Sequence, residues 1–143
     1  MREVAVGVLT RGGAVLACQR RKSALYGLKW EFPGGKLEPG EEPREALDRE
    51  LKEELGIHVL AAEEFHRQEW IYPDGVQDPE RDGAFRVFYF TVGDFSGEVR
   101  NRTFEEIRWV SLPELQQLDI LEGNREAVAL LTERGGDATA RLR

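Results

Sequence analysis

The chain has 143 residues, 41% hydrophobic and 9% aromatic, which suits one domain with a sizeable core. Lys and Arg total 20 against 27 Asp and Glu, and the net charge of −7 disfavours general binding to nucleic-acid backbone. The single cysteine, Cys18, excludes an intramolecular disulfide and fits a reducing compartment. No stretch approaches the roughly 18 apolar residues of a membrane helix, and the N-terminus lacks a signal-peptide pattern. We therefore expect a soluble, cytoplasmic protein that does not bind membranes.

The first half of the chain predicts a hairpin followed by a helix. Val4 to Leu9 alternates apolar residues on both faces, and Ala14 to Gln19 follows after a glycine turn, as expected for two paired strands. The run Pro33-Gly34-Gly35 is expected to interrupt regular structure. Pro43 to Leu55 has leucines at four-residue spacing, begins with a proline and is followed by Gly56, which predicts a helix.

The second half predicts further strands and a terminal helix. A strand is expected at Ile57 to Leu60, with a continuation towards Trp70. A second strand, Ala84 to Val92, follows a polar loop, and a third, Glu105 to Val110, follows a turn region. The loop spans Tyr72 to Gly83, the turn region spans Gly93 to Asn101, a short helix starts at Ser111 and the last helix spans Asn124 to Glu133. This order predicts an α/β domain with a mixed β-sheet and flanking helices over residues 1–134, followed by a flexible tail over residues 135–143.

The predicted central helix carries an unusual concentration of carboxylates. At 100° per residue, Glu50, Glu53 and Glu54 share an arc of about 100° beside the leucine face. Their mutual repulsion is increased by partial burial, and Arg49 relieves only part of it. A solvated face with salt bridges is one interpretation. The other is a site for a hard divalent cation, Mg²⁺ or Mn²⁺, because such ions prefer carboxylate oxygens.

The segment GKLEPGEEPREALDRELKEELGI, from Gly35, resembles the Nudix box. The pattern requires Gly, five residues, Glu, seven residues, Arg-Glu, an aliphatic residue, any residue, Glu-Glu, any residue, Gly and an aliphatic residue. Its specified positions are filled by Gly35, Glu41, Arg49, Glu50, Leu51, Glu53, Glu54, Gly56 and Ile57. With about 7% chance agreement at each of the seven fixed positions, a random match has a probability on the order of 10⁻⁸ per starting point.

The resemblance implies the Nudix fold, an α/β/α sandwich, and Mg²⁺-dependent cleavage of a nucleoside diphosphate linked to a further group. It implies that Glu50, Glu53 and Glu54 ligate the metal, with the Gly34 carbonyl as an additional ligand, and that Arg49 orients the carboxylates. Glu41 would hold the loop or a metal-bound water, while Gly35 and Gly56 are structural positions of the motif. Glu50 is one candidate for the general base, and a carboxylate outside the box is another.

The chain departs from a common family pattern ahead of Trp109. Many relatives carry a Glu six residues before the equivalent Trp, whereas this chain has Thr103, with Glu105 and Glu106 nearby. The identity of any metal ligand outside the box is therefore open at this stage.

A narrower resemblance, to the MutT-type branch of nucleoside triphosphate pyrophosphohydrolases, covers Gln19 to Ile57 and is carried by QRR and WEFPGGK. It implies that Arg20, Phe32 and Asn124 bind a purine base, whereas Leu25 replaces a family His. Phe32 as core, Asn124 as a helix cap and Arg20 as a surface charge are the structural alternatives.

The leading hypothesis is hydrolysis of a (deoxy)nucleoside triphosphate, such as 8-oxo-dGTP, to monophosphate and pyrophosphate, which would sanitise the nucleotide pool and support DNA repair. CTP-like pyrimidine nucleotides, ADP-ribose and dinucleoside polyphosphates are alternative substrates. A non-catalytic nucleotide-binding Nudix module is an alternative class. The sequence leaves open whether the protein is a monomer or a homodimer, and what the Tyr72 to Gly83 loop does.

Overall fold

The computed structural model describes residues 1–72 and 83–141. The strands are β1 (Arg2–Arg11), β2 (Ala14–Gln19), β3 (Trp30–Glu31), β4 (Gly34–Lys36), β5 (His58–Ile71), β6 (Ala84–Ser96) and β7 (Glu106–Val110). The helices are α1 (Pro43–Leu55), α2 (Leu112–Gln117) and α3 (Arg125–Arg141), and a 3₁₀ turn spans Glu122–Asn124. Most of the predicted loop from Tyr72 to Gly83, residues 73–82, lies outside the described residues.

The strands form a mixed sheet in which β1 is central. β1 pairs in parallel with β6, and antiparallel with both β4 and the hairpin partner β2. β5 adds antiparallel to β6, while β3 and β7 pair with β2. Because β1 is covered on both faces, its apolar residues continue without polar alternation, as the sequence predicted. β6 is likewise largely buried over residues 84–92.

Helix α1 covers one face of the sheet. Its apolar face, formed by Ala46, Leu47, Leu51 and Leu55, is fully buried against residues of β1, β2 and β6. The helix begins at Pro43 and ends at Leu55, and the following Gly56 has φ +72° and donates its N–H to the Lys52 carbonyl. Both bounds agree with the sequence prediction. Truncating one of these leucines to alanine would cost about 2–5 kcal/mol, so the position of α1 against the sheet is strongly fixed.

Helices α2 and α3 cover the opposite face, where Leu115, Ala127, Val128 and Leu131 pack against β1, β2 and β6. The two faces together confirm the predicted α/β/α sandwich. None of the helices within the described residues is long and apolar enough to cross a membrane.

Three local predictions were wrong. Gly34 and Gly35 do not interrupt regular structure but form β4, because the β1 backbone pairs with them in register, Val6 opposite Gly34. β6 continues through the predicted turn region to Ser96, because β5 extends alongside it from His58 opposite Ser96. The last helix does not end at Glu133 but continues to Arg141. That the tail after residue 134 is flexible stays a prediction.

Candidate active site

The glycine strand β4 brings the end of α1 to the centre of the sheet. The Gly34 N–H donates to Glu54 Oε1 at 2.9 Å, which ties the last turn of the helix to the strand. A Cβ atom at Gly34 would overlap the backbone carbonyl of Ala5, so this pairing of β1 and β4 requires glycine. At Gly35 a Cβ atom would overlap the carboxyl group of Glu50. Two carboxylates of the acidic helix therefore approach consecutive residues of the same strand.

Arg49 forms ion pairs with several carboxylates of the motif. Its guanidinium donates to both oxygens of Glu41, each at 2.9 Å, and to Glu50 Oε1 at 2.7 Å. Its Nη1 lies 3.7 Å from Glu53 Oε2, and its Nη2 donates to the Lys36 carbonyl at 3.0 Å. The bidentate pair lowers the pKa of Glu41 to about 2. Arg49 thus contacts three carboxylates of the motif, and its role in orienting them stays a prediction that these contacts support.

Glu41 holds the loop in front of α1. Its Oε1 also accepts a hydrogen bond from the Glu38 backbone N–H at 2.9 Å, so the carboxylate joins the loop to Arg49. Of the two implied roles for Glu41, loop support is the one that these contacts provide.

The carboxylates along α1 differ in their surroundings. Burial, with the nearby charges of Glu50, Glu31 and Glu53, raises the pKa of Glu54 to about 8, against the opposing effect of the Gly34 hydrogen bond. Burial also raises the pKa of Glu50, although Arg49 opposes that shift. The Glu53 side chain is 60% exposed. The helix therefore presents two partly desolvated carboxylates and one solvated carboxylate along the same edge.

This donor set fits a hard divalent cation, because oxygen ligands of like charge are gathered beside a backbone strand. In the described parts of the chain, however, no three His, Cys, Asp or Glu side chains are arranged closely enough to hold an ion. Glu50 is engaged by Arg49 and Glu54 by Gly34.

A cavity of about 250 Å³ adjoins the glycine strand. Six residues predicted from the sequence line it, namely Arg20, Phe32, Gly34, Gly35, Glu54 and Asn124. Arg49 and Glu50 instead line a second cavity of about 370 Å³, and Lys36 contributes to both. Glu53 lines neither, and Gly56 ends the helix. The structure thus brings the predicted base-binding residues next to part of the acidic motif.

Arg20 is held in place at the wall of the first cavity. Its Nη1 lies 3.2 Å from Glu31 Oε1, and its Nε donates to the Leu25 carbonyl at 2.8 Å. Only 20% of its side chain is exposed, so the alternative of an ordinary surface charge does not describe it. Burial raises the pKa of Glu31, and the charge of Arg20 opposes that shift. Arg20 therefore reaches the cavity as one half of an ion pair.

Phe32 and Asn124 are also buried, at 4% and 8% exposure. Phe32 belongs to the core and lines the cavity, so its structural and binding interpretations coexist. Asn124 precedes α3, but its side-chain Nδ2 donates to the Tyr89 hydroxyl at 3.0 Å instead of its oxygen capping the helix. The side-chain hydrogen bond of Asn124 therefore does not cap α3.

Sequence reasoning missed several residues of the cavity wall, including Glu31, Trp70 and Tyr72. Tyr72 stacks on Tyr26 with ring centroids 5.2 Å apart. A charged residue between Trp30 and Phe32 was a usable signal for Glu31, because a short, mostly apolar strand rarely includes an acid without a partner. The contributions of Trp70 and Tyr72 depend on the sheet register, which the local sequence does not encode.

The carboxylates near Thr103 are engaged away from the cavity. Glu105 Oε1 accepts from the Lys22 backbone N–H at 3.1 Å, and Glu106 Oε2 pairs with Arg108 at 2.8 Å. The Thr103 carbonyl accepts from Arg21 at 3.1 Å. Within the described residues, no acid of this region lines the cavity, whereas Glu31 does.

Comparison with known proteins identifies the class to which this fold and site belong. Residues 1–131 match the NUDIX domain. The chain is 35% identical over 109 residues to an 8-oxo-dGTP diphosphatase of Haemophilus influenzae. The aligned region covers 76% of this chain and 74% of that protein. It is 33% identical over 120 residues to the CTP pyrophosphohydrolase of Escherichia coli, covering 82% and 81%.

The solution structure of the E. coli ORF135 protein has a TM-score of 0.80 and 28% identity, covering 94% of this chain and 90% of that one. The chain belongs to the Nudix family, and it is a Nudix pyrophosphohydrolase. Enzymes of this family typically use a divalent metal ion and act on nucleotide substrates.

Proposed function

We propose that this protein is a Mg²⁺-dependent pyrophosphohydrolase that converts an oxidised purine nucleoside triphosphate, such as 8-oxo-dGTP, to monophosphate and pyrophosphate. The observation that supports this most is the shared cavity, in which Arg20, Phe32 and Asn124 lie beside Gly34 and Glu54. A base in that cavity would direct its phosphates towards the acidic helix. Such a reaction would remove damaged nucleotides from the pool before DNA synthesis, in the cytoplasm.

The proposed metal ligands are Glu50, Glu53, Glu54 and the Gly34 carbonyl, with Mn²⁺ able to replace Mg²⁺. The metal supplies neutralisation of the diphosphate charge and activation of the attacking water. Arg49 keeps Glu50 oriented through the 2.7 Å hydrogen bond. We assign Glu50, in this orientation, as the general base that accepts a proton from the attacking water.

A CTP-like pyrimidine nucleotide is the second candidate substrate. Two observations favour it: the 33% identity to the E. coli CTP pyrophosphohydrolase, and the Glu31 carboxylate in the cavity wall. A carboxylate accepts a hydrogen bond from the exocyclic amino group of cytosine.

Product analysis tests the reaction itself. The protein is incubated with 8-oxo-dGTP and Mg²⁺, and monophosphate, diphosphate, pyrophosphate and phosphate are separated. We expect one pyrophosphate per monophosphate in the wild type. Glu53→Gln should lose turnover, whereas the matched control Glu98→Gln, at a 79% exposed side chain outside the motif, should keep it. Release of phosphate and diphosphate, or equal turnover in both variants, would contradict the proposal.

A further inference from the structure

The 3₁₀ turn that contains Asn124 is hydrogen-bonded to side chains of the sheet. The Gly123 carbonyl accepts two hydrogen bonds, from the Tyr89 hydroxyl of β6 and from Gln68 Nε2 of β5, each at 3.1 Å. Tyr89 has no exposed surface and Gln68 is 8% exposed. The turn therefore sits on two buried polar groups that are fixed by strand pairing.

The Tyr89 hydroxyl also fixes which end of the Asn124 amide points towards the sheet. Its single proton is donated to the Gly123 carbonyl, so only its lone pairs remain for Asn124. Asn124 accordingly donates its Nδ2–H to Tyr89 at 3.0 Å. A flipped amide would place Oδ1 against the hydroxyl, where it would compete with the Gly123 carbonyl for the single hydroxyl proton, so one of the two buried contacts would lose its hydrogen bond.

The amide oxygen is left for the cavity. Asn124 lines the 250 Å³ cavity, and within the described residues its Oδ1 accepts no hydrogen bond. Its remaining N–H is also available. Asn124 therefore presents an acceptor and a donor to the cavity, and Tyr89 determines which position of the amide each one occupies.

We propose that Tyr89 is a positioning residue for base selection, which rests on the proposed function. By holding the Asn124 amide in one orientation, it presents a fixed acceptor to the base edge. Guanine has an acceptor at N7, whereas 8-oxoguanine carries a proton there and so becomes a donor. A fixed Asn124 Oδ1 favours 8-oxoguanine, whose N7–H can donate to it. Guanine would instead place the N7 lone pair against Oδ1, which is repulsive. Without the Tyr89 hydroxyl, the amide is free to rotate and to suit either base.

Binding of the monophosphate products tests this without turnover or metal. Dissociation constants for 8-oxo-dGMP and dGMP are measured by calorimetry in chelator for the wild type, Tyr89→Phe, Asn124→Ala and the double variant. Tyr89→Phe keeps the buried ring and removes only the hydroxyl. We expect the wild type to prefer 8-oxo-dGMP and Tyr89→Phe to lose roughly tenfold of that preference, the scale of one hydrogen bond. In the Asn124→Ala background, Tyr89→Phe should change the preference no further.

Two further variants separate positioning from a purely structural role. Gln68→Leu removes a support of the turn but not the contact to Asn124, so it should keep the preference. Thr10→Val removes a buried hydroxyl of β1 that lines no part of the cavity and should also keep it. If Gln68→Leu lowers the preference as much as Tyr89→Phe does, support of the turn explains the effect and the proposal is overturned.

Two other results overturn the inference and leave the proposed chemistry intact. One is an unchanged preference in Tyr89→Phe. The other is a wild type that releases pyrophosphate but binds both monophosphates equally. A wild type that releases no pyrophosphate from any nucleoside triphosphate would instead remove the proposed function.

Discussion

Burial of Glu54 makes the stability of the metal-free protein depend on pH. Its pKa is raised from an ordinary 4.5 to about 8 in the folded chain, first because the carboxylate is desolvated and then because Glu50, Glu31 and Glu53 are nearby. A raised folded-state pKa stabilises the fold fully below the unfolded value. That contribution is lost as the pH rises towards the folded value. Between those limits the loss is about 1.4 kcal/mol per pH unit, or at most about 3 kcal/mol between pH 5 and pH 7.5.

Replacing Glu54 by Gln removes the titration but keeps the size of the side chain. Urea unfolding in chelator at pH 5 and pH 7.5 should therefore show the variant gaining on the wild type by up to about 3 kcal/mol at the higher pH. The control Glu98→Gln should show no such change. A difference between wild type and Glu54→Gln that is the same at both pH values would refute the assignment of a desolvated Glu54.

Divalent metal provides the second half of this test. At pH 7.5, Mg²⁺ should stabilise the wild type, because a cation that binds the folded state relieves the repulsion of buried carboxylates. The stabilisation should be much smaller in Glu54→Gln. Equal stabilisation of both proteins would place the cation away from Glu54.

Three further substitutions test the motif. Glu53→Gln should lower kcat roughly 100-fold while the Tm changes little, because the side chain is 60% exposed; activity and thermal melting are measured together. Arg49→Lys should reduce kcat/KM by about 10–100-fold, since lysine cannot bridge Glu41 bidentately and orient Glu50, whereas a near wild-type value would contradict the orienting role. Gly35→Ala should displace the Glu50 carboxyl group and lower kcat by about tenfold or more, with circular dichroism unchanged.

The sequence predicted the elements whose signals are local. α1 was predicted with both bounds because its leucine spacing, Pro43 and Gly56 all lie within the helix or beside it. β4 was missed because two glycines have no side-chain periodicity, and its pairing with β1 is made across some thirty residues of chain. Local signals cannot report such pairings, which depend on the tertiary register.

The candidate site also combines residues that local sequence signals identify with residues that only the tertiary structure brings together. The acidic motif lies in one contiguous segment, so the resemblance identified it, and the contacts of Glu41 fall within that segment. Tyr89 is fully buried, and its hydroxyl contacts both Gly123 and Asn124 in the 3₁₀ turn. This contact depends on β6 meeting a turn 35 residues later in the chain, so it became visible only in the folded structure.

The measurement that tests the central proposal most directly is a comparison of kcat/KM with Mg²⁺ across substrates. The panel contains 8-oxo-dGTP, dGTP, CTP, ADP-ribose and a dinucleoside polyphosphate, with products resolved for each. We expect pyrophosphate release and the highest kcat/KM for 8-oxo-dGTP, which would support the roles of Arg20, Phe32 and Asn124. A highest value for CTP, ADP-ribose or the dinucleoside compound would retain the Nudix chemistry and contradict the assignment of an oxidised purine to the cavity.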